Sequence, residues 1–544
     1  MLLQTQPFAL ALLLVLAAPA YLAALLAYNV LRARASPLSA LPGPPRASLL
    51  RGSFPSAPEA ESAPRIARWL AKYGPAIRLS GLKQTQRMVT VDLKAIQHVL
   101  GSGYLYHKPD HVRFLLGAGL GEGLLFAEGE THRRQRKVMN PAFGPAAVRA
   151  FTGTFVQKAN ELRDVWLDLA AQETRPDGWT ALDAYVWLNK AALDIIGLTG
   201  FGYDFDALRA DEDHPNELYE AIHGLVARPG LLTVIQMLIP GFRYLPTPAI
   251  RARRASLRIM RRIGLRLIEE KKAAVLQSAP PDGAVEKDDV RGRDLLSLLI
   301  KANLASDVPA HARMSDDEIL AQVPTFLVAG HETTSTLVSW TLFALATAPT
   351  AQARLRRELR ACECATDAPS FDQLNAFSYL DNVVRETLRL HAPVPTTVRI
   401  ATRADVVPLQ RPIHDALAAV PLAAGDIVSI PIEVLSRSSE IWGPDAAVFR
   451  PERWENPPPA AADIPGVLAG LPAFLAGPHA CIGFRFALAE AKALLFALCR
   501  TFEFALAVEP GDVVCRVDVV GKPHLAGDTA AGPQLPMLVR AVRD

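Results

Sequence analysis

Residues 474–483, Phe-Leu-Ala-Gly-Pro-His-Ala-Cys-Ile-Gly, constrain the fold of this chain more than any other segment. A helical pattern of apolar residues begins directly after them, which predicts that Cys481 lies at the amino end of a helix. The helix dipole and free N–H groups favour a thiolate at that position. Gly477 and Gly483 permit tight backbone turns close to a bound group. A deprotonated, fixed and partly shielded thiolate is what a cysteine ligand of iron requires.

The alternative for a lone cysteine is a buried structural residue, and the spacing of the segment decides against it. The pattern Phe-x-x-Gly-x-x-x-Cys-x-Gly fixes four positions in a chain with 21 Phe, 34 Gly and 5 Cys among 544 residues. Chance occurrences then number on the order of 0.001. Five cysteines in 544 residues are too few for a disulfide scaffold, and their odd number leaves at least one thiol unpaired.

Composition bounds the class of protein. Half of the residues are apolar and the formal net charge is +3. A chain of this length can therefore bury a large core, and neither a disordered protein nor a nucleic-acid binder driven by bulk charge is expected. Length alone suggests about three or four domains.

The amino terminus carries an uncharged run of 24 residues, Phe8 to Leu31. As a helix it would reach about 36 Å, enough to cross about 30 Å of hydrocarbon with some tilt. Arg32 and Arg34 follow, which predicts a lumenal amino terminus. We therefore predict a membrane anchor over 1–34, with a cleaved signal peptide as the alternative. We predict that this anchor is followed by a proline-rich hinge over 35–50 and a catalytic body over 51–544.

Most of the body has helical periodicity, with a few β-like segments. The predicted helices are Leu162–Ala170, Asp183–Leu198, Arg251–Val275, Asp316–Ala348, Ala351–Cys362, Leu380–His391 and Ile482–Phe502. The predicted strands are Ala76–Leu79, Arg87–Val91, Ile427–Ile430 and a segment within the last twenty residues.

The apolar, proline-broken segment Arg228–Pro248 has two interpretations, a buried loop or a segment that enters a bilayer. The second would place the mouth of a channel near lipid and favour apolar substrates. The basic segment Arg251–Arg262 follows it and is predicted to be a solvated helix face, with contact to acidic lipid as the alternative.

Residues 329–334, Ala-Gly-His-Glu-Thr-Thr, lie midway along the long apolar helix predicted from Asp316. A carboxylate beside a hydroxyl, as at Glu332 and Thr333, can relay protons to a bound group. A zinc site of the His-Glu-x-x-His type is excluded, because its second histidine would stand at Ser335.

Two further segments carry charged residues at helical spacing. Residues 386–389 form a Glu-x-x-Arg motif, and residues 449–454, Phe-Arg-Pro-Glu-Arg-Trp, lie between it and the cysteine loop. Glu-x-x-Arg alone is weak, since Glu130 to Arg133 also satisfies it. In residues 129–137, His132 and Arg136 share one helix face, and Arg133, Arg134 and Lys137 are predicted to point outward.

The cysteine loop resembles the haem-binding loop of the cytochrome P450 family, of the membrane-anchored, eukaryotic microsomal and fungal-like type. The other three motifs follow in that family's order, so the resemblance covers nearly the whole chain. It implies a mainly α-helical fold with small β-sheets, one amino-terminal transmembrane helix and haem b as cofactor. Cys481 would be the axial iron ligand, and Phe474, Gly477 and Gly483 would lie around it.

The resemblance also implies roles for the remaining motif residues. Ala329 and Gly330 would form an oxygen-binding groove, with Glu332 and Thr333 as the catalytic proton relay. Glu386, Arg389 and Arg453 would form a buried structural triad. The predicted propionate contacts are His132, where the family usually has Trp, Arg136, Arg399 and His479, where the family commonly has Arg.

The implied activity is insertion of one atom of O2 into a small organic substrate. The sequence has no Gly-rich dinucleotide fingerprint with its following acidic residue, so electrons are expected from NADPH through NADPH–cytochrome P450 reductase. Cytochrome b5 is a second candidate donor, nucleic acid is not an expected partner, and the implied location is the endoplasmic reticulum membrane, in secondary metabolism. The alternatives are a reductase-independent isomerase or dehydratase and a non-catalytic haem-binding membrane protein.

Overall fold

Helices hold most of the described residues and the strands form small sheets, which confirms the mainly α-helical class predicted from the sequence. The structure is a computed structural model. It describes residues 6–47, 52–53, 62–81, 85–173, 175–209, 216–225, 248–277, 294–305, 308–361, 367–413 and 417–542.

Capping residues mark the ends of helices in the described residues, as the helix Ala184–Phe201 illustrates. The carboxylate of Asp183 caps the helix that begins at Ala184, and Gly202, with a φ of 63°, ends it. In chain order the helices are α1 (Gln6–Ala35), α2 (Ser62–Tyr73), α3 (Leu93–Gly101), α4 (Asp110–Leu120), α5 (Gly129–Met139), α6 (Pro145–Glu173), α7 (Ala184–Phe201), α8 (Glu217–Leu225), α9 (Pro248–Gln277), α10 (Leu295–Leu304), α11 (Asp316–Leu320), α12 (Gln322–Thr347), α13 (Pro349–Arg360), α14 (Phe371–Ala376), α15 (Ser378–Leu390), α16 (Ile432–Ser436), α17 (Ser439–Trp442) and α18 (Phe484–Thr501).

The strands form four small sheets among the described residues. One sheet has the order β1-β2-β8-β5-β3, one has the order β4-β12-β9, and β6–β7 and β10–β11 are hairpins. The strands are β1 (Ala76–Ser80), β2 (Gln86–Thr90), β3 (Tyr106–His107), β4 (Thr180–Asp183), β5 (Thr397–Ala401), β6 (Asp405–Ile413), β7 (Leu417–Leu422), β8 (Ile427–Ile430), β9 (Phe502–Leu506), β10 (Val513–Val517), β11 (Gly521–Leu525) and β12 (Pro536–Ala541).

The first of two compact units comprises Met1–Gly119, Ala221–Ile259 and Thr396–Val434 and contains the five-stranded sheet. Leu70 of α2 packs on Ile77, Leu79 and Val89 of β1 and β2 in its core. The predicted proline hinge packs along β1, since the Arg78 N–H donates to the Pro42 carbonyl at 2.8 Å.

The second unit comprises Leu120–Glu220, Met260–Pro395 and Leu435–Asp544 and contains the cysteine loop. Helix α12 lies in its centre and packs against α7 and α18, while α6 packs along α18. Phe155 of α6 meets Phe486 of α18 edge-on, with ring centroids 4.7 Å apart. Burying such an aromatic side chain contributes about 1.5–3 kcal/mol, so this packing holds α18, which follows the cysteine loop.

The predicted helices and strands agree with the structure where they fall on described residues. The segment predicted as one helix from Asp316 is two, because α11 ends at Leu320 and α12 begins at Gln322. Several short strands were missed, among them β5 and the β10–β11 hairpin. Their residues show too little alternation to indicate a strand before the partner strand is known.

The prediction of a transmembrane span over 8–31 is not supported by the structure. A helix forms there, α1, but none of the helices in the described residues is long and apolar enough to cross a membrane. Side chains of α1 are described from Pro19 onward, apart from Ala33, so the apolar run is covered only in part. At its carboxyl end the Arg32 guanidinium donates to the Ala424 carbonyl at 2.7 Å. The segment Arg228–Pro248 lies almost entirely outside the described residues.

Candidate active site

The cysteine loop folds back on itself before α18 begins. The Cys481 N–H donates to the Phe474 carbonyl at 2.8 Å, and the Ala480 N–H donates to the Gly477 carbonyl at 3.1 Å. Gly477 has a φ of 71°, in the left-handed region that glycine adopts without strain. Leu475 has a φ of 58°, which no sequence signal indicated. The loop thereby places Cys481 just before α18, as the motif predicted.

The thiol of Cys481 is accessible although many protein atoms surround it. The side chain is exposed, yet burial is the largest influence on the thiol and raises its pKa. These two facts describe a group that lines an internal space rather than the outer surface. A hydrogen bond from the Gly483 N–H and the charge of Arg136 both act to lower the pKa, and neither offsets burial.

This corrects one expectation from the sequence. The helix amino terminus was expected to favour the thiolate, whereas burial makes the neutral thiol the favoured form of the protein alone. A coordinating metal deprotonates a thiol outright. The raised pKa of the Cys481 thiol in the protein alone is therefore compatible with its predicted role as an iron ligand.

One face of α12 opens onto an accessible space. From Gln322 to Leu342 every residue is buried except Ala329, Gly330 and Thr333. Positions 329 and 333 are four apart and so lie on the same helix face. The three residues are those that the motif placed at the oxygen-binding groove and the proton relay. An accessible strip within a buried helix leaves room for a bound group.

Gly330 also has a packing role that the sequence did not indicate. A Cβ at this position would lie 2.7 Å from Cγ1 of Ile196 on α7, closer than such atoms approach. The absence of a side chain therefore allows α12 and α7 to pack closely, in addition to its predicted role in the groove.

The two predicted relay residues, Thr333 and Glu332, differ in burial and in the groups that they contact. The Thr333 hydroxyl is partly accessible and donates to the Ala329 carbonyl at 2.8 Å. Glu332 is buried, and its Oε1 lies 3.0 Å from Nζ of Lys522 on β11. Tyr185 of α7 is near, because the Glu332 charge is, after burial, a cause of its raised pKa. Lys522 and Tyr185 were missed, since nothing in their sequence neighbourhoods links them to residue 332.

The predicted propionate contacts on α5 and the cysteine loop lie together. His132 is buried and stacks on His479, with ring centroids 3.9 Å apart. His479 Nε2 lies 3.4 Å from a carboxylate oxygen of Glu128. The Arg136 guanidinium donates to the Ala480 carbonyl. The pair stands where the family usually has Trp and Arg, so both replacements occur at one contact.

Arg399, the fourth predicted propionate contact, lies in the first unit on β5. It is buried, and its Nη1 donates to the Thr397 hydroxyl at 2.7 Å and to the Val398 carbonyl at 2.9 Å. Its predicted role in binding the cofactor therefore remains a prediction.

The outward basic face predicted for α5 is only partly correct. Arg133 and Lys137 are exposed. Arg134 is partly buried and bonds to the Glu318 carboxylate and the Arg313 carbonyl. It therefore ties α5 to the start of α11, and Arg134 holds the pKa of Glu318 at about 2 against the opposing effect of burial.

The structure brings Glu386, Arg389 and Arg453 together. Arg389 donates from Nε and Nη2 to both carboxylate oxygens of Glu386, at 2.9 and 2.8 Å, and Arg453 Nε lies 3.5 Å from Glu386 Oε1. All three are buried. Trp454 Nε1 also donates to Glu386, at 3.0 Å, and its ring lies against Gly470, four residues before Phe474. The triad is thus connected to the cysteine loop through Trp454.

The donors at the site fit haem. Cys481 supplies a single thiol, and no group of three or more His, Cys, Asp or Glu in the described part of the chain could hold a metal ion by itself. An iron bound here needs its other ligands from an organic ring. The accessible face of α12 and the accessible thiol, both in the second unit, provide surfaces for that ring.

Comparison with known proteins defines the class. The cytochrome P450 family profile matches residues 42–525. Cytochrome P450 monooxygenases 205 and 128 of Postia placenta are 45% and 44% identical over 519 and 514 residues, covering 94% and 93% of both chains. Cytochrome P450 monooxygenase claO of Ampulloclitocybe clavipes is 34% identical over 94% of both chains. The chain belongs to the cytochrome P450 family, as predicted, and is a haem-dependent monooxygenase.

Proposed function

We propose that this monooxygenase takes its electrons from NADPH through a separate reductase and oxidises an apolar organic substrate. We also propose that it works at the endoplasmic reticulum membrane with its catalytic units on the cytosolic side. The observation that carries the proposal is that Ala329, Gly330 and Thr333 are the partly accessible residues in the buried stretch of α12 from Gln322 to Leu342, because the resemblance assigns these residues to the oxygen-binding groove and the proton relay. A proton relay serves oxygen cleavage, whereas peroxide isomerases and dehydratases have less use for one.

The chain's own residues divide the work. Bound haem supplies oxygen activation through its thiolate-ligated iron. Cys481 provides the thiolate, and the loop hydrogen bond from its N–H to Phe474 fixes its position. The Thr333 hydroxyl holds a proton on the accessible face of α12, and Glu332 behind it exchanges protons with water. Ala329 and Gly330 keep that face free of bulky side chains.

Exposed positive charge on α5 supports a separate electron donor. Arg133 and Lys137 are exposed on the helix whose other face carries His132 and Arg136 beside the cysteine loop. Positive charge there would steer an acidic partner towards the thiolate side of the site. Cytochrome b5 would be a second partner for the same surface.

Turnover with a purified reductase tests the proposal. The protein with NADPH–cytochrome P450 reductase, NADPH and a panel of apolar compounds is expected to consume O2 and form a product heavier by one oxygen atom. Product from an organic peroxide without NADPH would establish the isomerase or dehydratase alternative instead. Absence of O2 consumption with every compound would establish a non-catalytic haem protein.

Replacing Thr333 with alanine is expected to uncouple the reaction. The amount of product per NADPH should fall about tenfold or more, with peroxide released, because a positioned proton donor contributes about 10²- to 10⁴-fold. The matched control is Thr341→Ala on the same helix. Its hydroxyl also donates to the carbonyl four residues before it, at 2.8 Å, but it is fully buried. Equal coupling in the two variants would refute the role of Thr333.

A further inference from the structure

The buried carboxylate of Glu332 has a specific cationic partner. Lys522 Nζ lies 3.0 Å from Glu332 Oε1, and the two side chains are 12% and 11% exposed. A carboxylate buried to this degree is strongly destabilising unless a charge or hydrogen bonds compensate it. The pair links the centre of α12 to the β10–β11 hairpin, which is far away in the sequence.

The hairpin is fixed to the helix that carries Glu332. Trp340, about two turns further along α12, donates from Nε1 to the Gly521 carbonyl at 2.8 Å. The Gly521 N–H donates to the Pro393 carbonyl, also at 2.8 Å. Both bonds hold the residue that directly precedes Lys522. The ammonium therefore meets Glu332 from a backbone position that α12 itself determines.

The geometry separates the two relay residues. Thr333 lies on the accessible face of α12, whereas the Glu332 carboxylate is turned towards Lys522 on the buried side. Successive residues on a helix are about 100° apart, so both orientations are possible without strain. Tyr185 is buried, and after burial the charge of the same carboxylate is a cause of its raised pKa. The ion pair thus fixes the orientation in which the Glu332 carboxylate lies.

We propose that Lys522 is a positioning residue for Glu332, whose carboxylate it pairs with and holds in one orientation behind Thr333. This rests on the proposed monooxygenase function. In each turnover the Glu332 carboxylate takes one proton from water and passes it towards Thr333, whose hydroxyl gives its own proton to the group in the site, so both residues return to their initial state. Lys522 touches neither substrate nor cofactor in this arrangement and acts through Glu332.

Four variants test the proposal by activity. Lys522→Met, which keeps the length and removes the charge, is expected to lower product per NADPH by about the factor seen for Glu332→Gln, threefold or more. Lys522→Arg should restore it to within about twofold, because the charge returns. Arg516→Met is the matched control. Arg516 lies opposite Lys522 in the strand register of the β10–β11 hairpin, so this substitution also removes one positive charge from the hairpin. It should leave coupling unchanged.

An infrared measurement on the protein at rest tests the same pair without turnover. Lys522→Met is expected to show a new C=O stretching band of a protonated carboxyl, absent from the wild type and from the double variant Lys522→Met/Glu332→Gln. If that band does not appear, or if Lys522→Met couples as the wild type does, the proposal is wrong. Failure of the wild type to oxidise any substrate would count against the proposed function alone, since the infrared result does not need turnover.

A purely structural role for Lys522 predicts a different pattern. Lys522→Met would then lose haem content and thermal stability, whereas Glu332→Gln would retain both. In the double variant, the loss of coupling caused by Lys522→Met would add in full to the loss caused by Glu332→Gln. The positioning role predicts instead that the double variant couples no worse than Glu332→Gln alone, because both substitutions remove one interaction. Additive losses would overturn the proposal.

Discussion

Replacing Cys481 with alanine is expected to abolish the strongly red-shifted Soret band of the reduced carbon monoxide complex, together with all product formation. The thiol is the iron ligand that the resemblance assigns to the cysteine loop, and its side chain is exposed. Without it the iron loses the thiolate that promotes O–O cleavage. The measurement is the optical spectrum of the reduced protein with carbon monoxide, taken beside the wild type at equal protein concentration.

Cys499→Ala is the matched control for this experiment. Cys499 lies on α18, the helix that follows the cysteine loop. It is fully buried, and burial raises the pKa of its thiol to about 12. Its removal should leave the position of the Soret band unchanged. If the red-shifted band survives in Cys481→Ala, or disappears in Cys499→Ala, then Cys481 is not the iron ligand.

Replacing Glu386 with glutamine is expected to prevent stable incorporation of haem. The substitution leaves the guanidinium groups of Arg389 and Arg453 buried without their shared counter-charge. Breaking a buried ion pair in this way costs about 3–5 kcal/mol. Because Trp454 connects the triad to the turn at Gly470, the cysteine loop should lose order as well. Haem content per protein and the thermal unfolding midpoint measure the effect.

The chain contains a matched pair for comparison. Glu130 and Arg133 have the same spacing on α5, with Arg133 Nη1 2.8 Å from Glu130 Oε1, but their side chains are 83% and 56% exposed. An exposed pair contributes about 0–1 kcal/mol, so Glu130→Gln should leave haem content and the unfolding midpoint nearly unchanged. If Glu386→Gln behaved in the same way, the triad would have no structural role.

This comparison shows what spacing alone can and cannot determine. Both segments satisfy Glu-x-x-Arg, and only the order of neighbouring motifs favoured the second one in the sequence. In the structure burial distinguishes them, since Glu386 and Arg389 are fully buried, and Arg389 also donates to the carbonyls of Ser436 and Val448. Burial depends on residues that lie far away in the chain, so the four letters of a motif do not contain it.

The sequence by itself determined the class of protein, the cysteine loop and the helical segments of the body that the structure describes. These depend on periodicity and short spacings, which act over a few turns of helix. Of the four residues that the resemblance assigned to the groove and relay, Ala329, Gly330 and Thr333 are partly accessible on α12, whereas Glu332 is buried.

Only the tertiary structure decided the electrostatics of the site. It turned Glu332 towards Lys522, paired the partly buried Arg134 with Glu318, stacked His132 on His479, and made burial the largest influence on the pKa of the Cys481 thiol. Each of these results depends on which groups from distant segments are packed together and how much water they exclude. Coulomb interactions and desolvation depend on distance in space and on the local dielectric, and neither can be read from the order of residues along the chain.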